Sequence, residues 1–227
     1  WRLHKVTSPG RHRALTALAL LAPSTPMLFM GEEFAASSPF LYFADHNAEL
    51  NQMIAKGRRQ FMQQFRSAET AEAQSLFPTP SDEKTFEACK LNLSERKSNR
   101  STYQMHIDLL QLRHEEAALN NPAKLDGAVI GREAFLLRFF SREGDDRLLI
   151  VNLGMGMFLN PAPEPLLAPI LDHGWKIQWS SENPAYGGSG TAPLETKANW
   201  ILPAHSSILL APDENKELPN ARLSQND

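Results

Sequence analysis

The chain has 227 residues, 42% of them hydrophobic and 22% charged, and a formal net charge of −3. That is an ordinary globular composition, long enough for one or two domains with a core of their own, and its acidic balance argues against a nucleic-acid partner. No run approaches ~18 apolar residues, so no membrane-spanning helix and no membrane partner are expected. The single cysteine, Cys89, rules out an internal disulfide and fits a reducing, cytoplasmic setting. The chain opens on Trp1 without Met or a signal-like segment, which reads as a piece of a longer polypeptide.

Ser8-Pro9 is a helix start: a hydroxyl to accept from free amides, then a ring whose φ is already helical. The helix from Arg11 to Ala22 carries Leu15, Leu18 and Ala22 on one stripe with Ala14 and Leu21 beside it, and Pro23 ends it. Pro26 to Met30 is apolar on both faces, which predicts a buried parallel strand. Gly31, two carboxylates and an aromatic-rich loop to Asp45-His46 follow it, the arrangement in which a strand end delivers a ligand site. Asn47 to Phe65 reads as a helix with Leu50, Ile54, Phe61 and Phe65 as its apolar positions. A short helix is expected over Asp82–Cys89, and a longer one over Ser101–Leu119 with Tyr103, Ile107, Leu110 and Ala117 on one face and Leu109 and Leu112 widening it.

After Pro122 the periodicity changes. Ala128–Ile130, Ala134–Phe140, Arg147–Leu153, Trp175–Ser180 and His205–Ala211 are β-branched or aromatic runs, and Gly144-Asp145-Asp146 is a hairpin signal. Strands at this spacing without intervening helices predict an antiparallel β-sandwich. The expected organisation is therefore α/β followed by all-β, with domains at 1–122 and 123–212 and a flexible tail at 213–227.

The segment Thr25-Pro-Met-Leu-Phe-Met-Gly-Glu-Glu-Phe34 resembles the eighth-strand motif of the α-amylase superfamily. The next stretch, Ser37-Ser-Pro-Phe-Leu-Tyr-Phe-Ala-Asp-His46, is similar to the malto-oligosyltrehalose trehalohydrolase family within it. Further similarity lies in Phe86-Glu-x-Cys-Lys-Leu91, Asp145-Asp-Arg-Leu-Leu-Ile-Val-Asn-Leu-Gly154 and Trp179-Ser-Ser-Glu-x-Pro-x-Tyr-Gly-Gly-Ser-Gly190. The resemblance implies the terminal part of a (β/α)8 barrel, its last strand and helices, followed by a C-terminal β-sandwich. It implies a glycosidase that cleaves the α-1,4 bond beside the terminal trehalose of maltooligosyl trehalose, with no cofactor. The family's catalytic carboxylates lie on earlier barrel strands, so no catalytic residue is expected in this chain, and the N-terminal remainder of the same polypeptide is the implied partner.

The residues themselves agree. A retaining glycosidase needs two carboxyls about 5–5.5 Å apart across the scissile bond. Glu32 and Glu33 are adjacent, so at a strand end their side chains diverge and cannot form that pair. Glu33 suits a hydrogen bond to neighbouring loops or to a sugar hydroxyl. Phe40 and Tyr42 alternate, so in an extended segment they share a face and offer glucose a stacking platform; Phe43 suits the core. Asp45 and His46 complete the candidate substrate-binding set, although Asp45 also suits an N-cap and the pair lacks the further ligands a metal needs. Lys56-Gly-Arg-Arg59 reads as a solvated helix face, the tryptophans at 175, 179 and 200 as core, and Gly187-Gly-Ser-Gly190 as a loop without a phosphate-binding signature. Two rival readings share these residues: a non-catalytic α-glucan-binding or structural module, and the same part of a glycogen branching enzyme.

Overall fold

The computed structural model describes residues 2–68, 70–162, 164–170, 174–195 and 199–213. It divides into two compact units, Trp1–Val6 with Met30–Asn99 and Thr7–Phe29 with Arg100–Asp227. Helices run over α1 (Leu3–Val6), α2 (Pro9–Leu21), α3 (Ala48–Met62), α4 (Ala71–Ser75), α5 (Glu83–Cys89), α6 (Glu95–Ser98), α7 (Arg100–Glu115) and α8 (Ala117–Asn120). Strands are β1 (Lys124–Gly131), β2 (Ala134–Phe140), β3 (Arg147–Asn152), β4 (Met157–Leu159), β5 (Gly174–Ser180), β6 (Trp200–Leu202) and β7 (Ser206–Asp213). No helix among the described residues is long and apolar enough to cross a membrane.

The second unit is built on a five-stranded antiparallel sheet in the order β1-β2-β3-β7-β5. β2 and β3 join through the expected hairpin, where Gly144 takes φ +79°. All six residues of β3 are buried because both faces of the sheet are covered. Leu149 and Val151 face α2 and α7, packing with Ala17, Leu20, Leu21, Met105 and Leu109. Leu148 and Ile150 face the other way, toward Trp200 and Leu202 of the small β4-β6 sheet. Trp175 and Trp179, four residues apart, should share a face by period-two alternation, yet Trp175 joins the second cluster and Trp179 the first. The register shift between Ile177 and Trp179 inserts one residue and turns the strand over. All three described tryptophans are buried, as expected.

Local signals explain the helix ends. Ser8 accepts from the Arg11 amide and Pro9 opens α2; three carbonyls at its end, of Leu20, Ala22 and Ser24, receive the Arg113 guanidinium. Two stripes differ from expectation. In α2 the buried set is Ala14, Thr16, Ala17, Leu20 and Leu21, with Leu15 half-buried. In α7 it is Met105, His106 and Leu109, whereas Ile107 and Leu110 are exposed. A histidine in the stripe hid it from an apolar count; its Nδ1 pairs with the Thr102 carbonyl at 2.8 Å, which satisfies the buried ring nitrogen. Residues 25–29 form no strand, correcting the expected Pro26–Met30: a strand exists through a neighbour's hydrogen bonds, and no described segment pairs with this one. Met27 is 94% exposed there. The expected tail at 213–227 lies outside the described residues except for Asp213, the last residue of β7.

The same unit contains a buried polar chain. The Trp179 indole N–H donates to the Tyr186 hydroxyl (3.2 Å), which donates to Asp108 (2.6 Å), held by Gln104 (2.7 Å). Burial, reinforced by the Asp108 hydrogen bond, pushes the Tyr186 phenol up to about 12. The neutral phenol is thus favoured in the folded chain, while the unfolded chain ionises near pH 10. Its stabilisation is complete below pH 10 and is lost as pH rises to about 12, a fall of roughly 2–3 kcal/mol. Urea titrations at pH 9.5 and 12 should show this difference between wild type and Tyr186→Phe; equal pH slopes for the two proteins would refute the assignment.

Candidate functional site

The first unit places the loop after Met30. Gly31 adopts φ +85°, and a Cβ there would lie 2.8 Å from both Ala36 Cβ and Leu91 Cδ2. Its N–H donates to Glu33 Oε2 at 2.8 Å, and its carbonyl accepts from Ala36 N at 2.8 Å. Glu33 also faces Arg96 at 3.6 Å. The buried Arg2 guanidinium ties both sides of this turn, donating to the Met30 carbonyl (3.0 Å) and the Ser38 carbonyl (2.6 Å). Asn99 donates to the Phe34 carbonyl at 2.9 Å. Glu33 thus accepts from within its own turn and faces Arg96.

Beyond the turn, residues 39–47 form no helix or strand, and hydrogen bonds tie the chain down between Ser37 and Ala44. Ser37 gives both its amide (2.8 Å) and its hydroxyl (2.5 Å) to Glu95, which holds that carboxyl below the usual range. Ser38 donates to the Lys90 carbonyl, Leu41 N to Cys89 Sγ (3.3 Å), and Ala44 N to the Pro80 carbonyl (3.0 Å). Phe43 sets its ring edge-on to Phe86 at 5.0 Å yet stays 40% exposed, so it is rim rather than core. At α1, burial, then the charges of Lys5 and Arg2, pulls the His4 imidazole below its ordinary value.

Phe40 and Tyr42 line one wall of a cleft of about 1130 Å3. Ala55, Arg58, Arg59 and Met62 of α3 line a second wall, and Phe77–Pro80 a third. The Arg58 guanidinium lies 4.7 Å above the Tyr42 ring. The basic cluster is exposed, as expected of a solvated helix face, and its Arg58 and Arg59 also line the cleft. Their role was not legible because the loops that complete the cleft are distant in sequence. Glu33, Asp45 and His46 are not among the lining residues. Asp45 does not cap α3; Asn47 does, its side chain accepting from Leu50 N at 2.9 Å, because the helix begins one residue later than expected. The His46 carbonyl accepts from Asn51 Nδ2 at 2.8 Å, and both Asp45 and His46 side chains are exposed.

In the second unit the Gly-rich loop closes around Glu182. A Cβ at Gly188 would sit 2.2 Å from the Glu182 backbone, Gly190 N donates to the Glu182 carbonyl at 2.7 Å, and Arg13 pairs with the Glu182 carboxylate at 2.5 Å. The loop is a structural wrap, in line with its lack of a phosphate-binding signature.

The family described as Domain of unknown function (DUF3459) matches residues 122–209, the β-rich stretch. Malto-oligosyltrehalose trehalohydrolase from Deinococcus radiodurans is 36% identical over 156 residues, 67% of this chain and 25% of that protein. The protein of the same name from Mycobacterium tuberculosis is 42% identical over 116 residues, 50% of this chain and 19% of its own length. Among solved structures, a Salmonella typhimurium protein described as an alpha amylase aligns over 92% of this chain and 32% of its own, at TM-score 0.67 and 24% identity. Bacillus licheniformis trehalose-6-phosphate hydrolase aligns over 90% of this chain and 39% of its own, at TM-score 0.55 and 14% identity. These two show a shared fold alone. The chain spans about a quarter of the length of its Deinococcus relative. By sequence it is similar, at 36–42% identity over part of its length, to proteins named malto-oligosyltrehalose trehalohydrolase, and the matches together fit a C-terminal portion of such a protein.

Proposed function

We propose that this chain is the C-terminal portion of a cytoplasmic glycosidase that cleaves the α-1,4 bond beside the terminal trehalose of maltooligosyl trehalose. The observation that carries the reading is the 36% identity over 156 residues to a protein named for that reaction. In this reading residues 1–122 are the end of a (β/α)8 barrel and 123–212 a β-sandwich, a division supported by the family match beginning at residue 122. Residues 26–30 would become the last barrel strand once earlier strands supply hydrogen-bond partners. In this reading the bond-breaking carboxylates lie outside these 227 residues, on the earlier barrel strands where the resemblance places them; two carboxyls about 5–5.5 Å apart are what that chemistry needs.

The chain's own contribution is one wall of the substrate cleft. Tyr42 and Phe40 offer ring faces to glucose, and Glu33 holds the turn that sets their position. Asp45 and His46, exposed at the end of the same segment, are the remaining candidates for sugar hydroxyls. No step here calls for a cofactor. The purified 227-residue chain, incubated with maltooligosyl trehalose, is expected to release no trehalose. Measurable turnover would overturn the placement of the catalytic carboxylates outside it.

A further inference from the structure

The cleft in the first unit has a composition that the neutral-sugar reading does not explain. It is lined by Arg2, Lys5, Arg58 and Arg59, and no described lining residue is a carboxylate. The chain as a whole is acidic, with 26 Asp and Glu against 23 Lys and Arg. Four cations around one cavity without a counter-charge in its wall raise the local potential and favour an anion. Glu95, which accepts the Ser37 amide and hydroxyl, feels the charges of Lys5 and Arg2 and partly offsets them, so Arg58 and Arg59 are the cations on which the site rests. The wall also carries exposed ring surface, with Phe40 57% and Tyr42 44% exposed. The volume, about 1130 Å3, suits a ligand of at least two sugar rings rather than an ion alone.

We propose that this cleft binds a phosphorylated saccharide, its phosphate held by Arg58 and Arg59 and its ring faces set against Phe40 and Tyr42. Planar guanidinium groups match phosphate oxygens in pairs, and aromatic rings match the C–H faces of sugars. Arg58 is already poised over Tyr42, so one ligand can meet both groups. The proposal stands on the cleft alone and does not depend on the glycosidase reading.

Calorimetric titration of the 227-residue chain with maltose 1-phosphate, maltose and inorganic phosphate tests it. Maltose 1-phosphate is expected to bind at least tenfold more tightly than either maltose or inorganic phosphate, and to weaken as salt is raised. Arg58→Gln and Arg59→Gln should each weaken it about five- to tenfold, whereas Lys56→Gln, on the same helix but outside the lining, should leave it within about twofold. Maltose binding as tightly as its phosphate would remove the anion from the proposal. Inorganic phosphate binding as tightly would remove the saccharide. Absence of binding by all three would overturn the site altogether.

Discussion

Arg138→Ala is expected to destabilise the sheet unit by about 3–5 kcal/mol. Arg138 and Asp146 form an ion pair at 3.0 Å with side chains only 9% and 6% exposed. The guanidinium also donates to the Leu166 carbonyl (3.1 Å) and the Ala168 carbonyl (2.6 Å), and stands 5.3 Å over the Trp175 ring. Removing it leaves a buried carboxylate whose described remaining partner is the Ser141 amide at 2.8 Å, plus two carbonyls without their donor. The pair itself need not be strongly stabilising, since both charges lost hydration on burial. Arg138→Met combined with Asp146→Leu should therefore recover most of the loss. Urea unfolding followed by tryptophan fluorescence reads this directly, because three of the four tryptophans lie in the second unit. A loss below about 1 kcal/mol for Arg138→Ala would show that the buried pair is not as isolated from water as drawn.

Gly31→Val is the second large effect, and it falls in the first unit. The residue combines φ +85° with a neighbourhood that has no room for a Cβ. Left-handed backbone in a β-branched residue costs about 1–3 kcal/mol and the overlap with Ala36 and Leu91 about as much again. The turn that Glu33 and Arg2 hold should open, and protease cleavage between residues 31 and 46 should rise at least tenfold, as expected when local opening becomes ~1.4 kcal/mol or more easier. Gly57→Ala is the contrasting case: it lies within α3 with nothing within 4 Å of an added Cβ, so it should stabilise by about 0.5–1 kcal/mol. Equal protease sensitivity of Gly31→Val and wild type would mean that the turn is not what orders the loop.

What could be read from the sequence was mostly local chemistry. Ser8 caps the helix it precedes, Gly144 turns the β2–β3 hairpin, and the run from Arg147 forms the expected strand β3. What could not be read depends on distant partners. The Pro26–Met30 run has strand composition, but a strand is a relation between segments, and its composition alone gave no neighbour. Leu50, Ile54 and Phe61 lie in α3, yet none of α3 is buried, and the helix ends at Met62, short of Phe65. Three-residue strands such as β4 and β6 carry too few residues for a period to show. The face of α7 was misread by one step because His106 occupies a core position.

The candidate site divides in the same way. Alternation put Phe40 and Tyr42 on one face, but Pro39, Phe40, Leu41 and Tyr42 all line the cleft, so the lining follows the path of the segment and not a period of two. Arg58 and Arg59 lie 16 and 17 residues beyond Tyr42, and only the path of the chain through α3 brings them opposite. Asp45 was assigned a cap because it precedes a helix, but Asn47 is nearer and its side chain makes the bond.

The reading of the chain as the C-terminal portion of a trehalose-releasing glycosidase is tested most directly by transplanting it. These 227 residues would replace the matching part of the Deinococcus radiodurans trehalohydrolase, and trehalose release from maltooligosyl trehalose would be measured alongside cooperative thermal unfolding. The account predicts a folded hybrid that releases trehalose. A hybrid that unfolds cooperatively but releases none would contradict it.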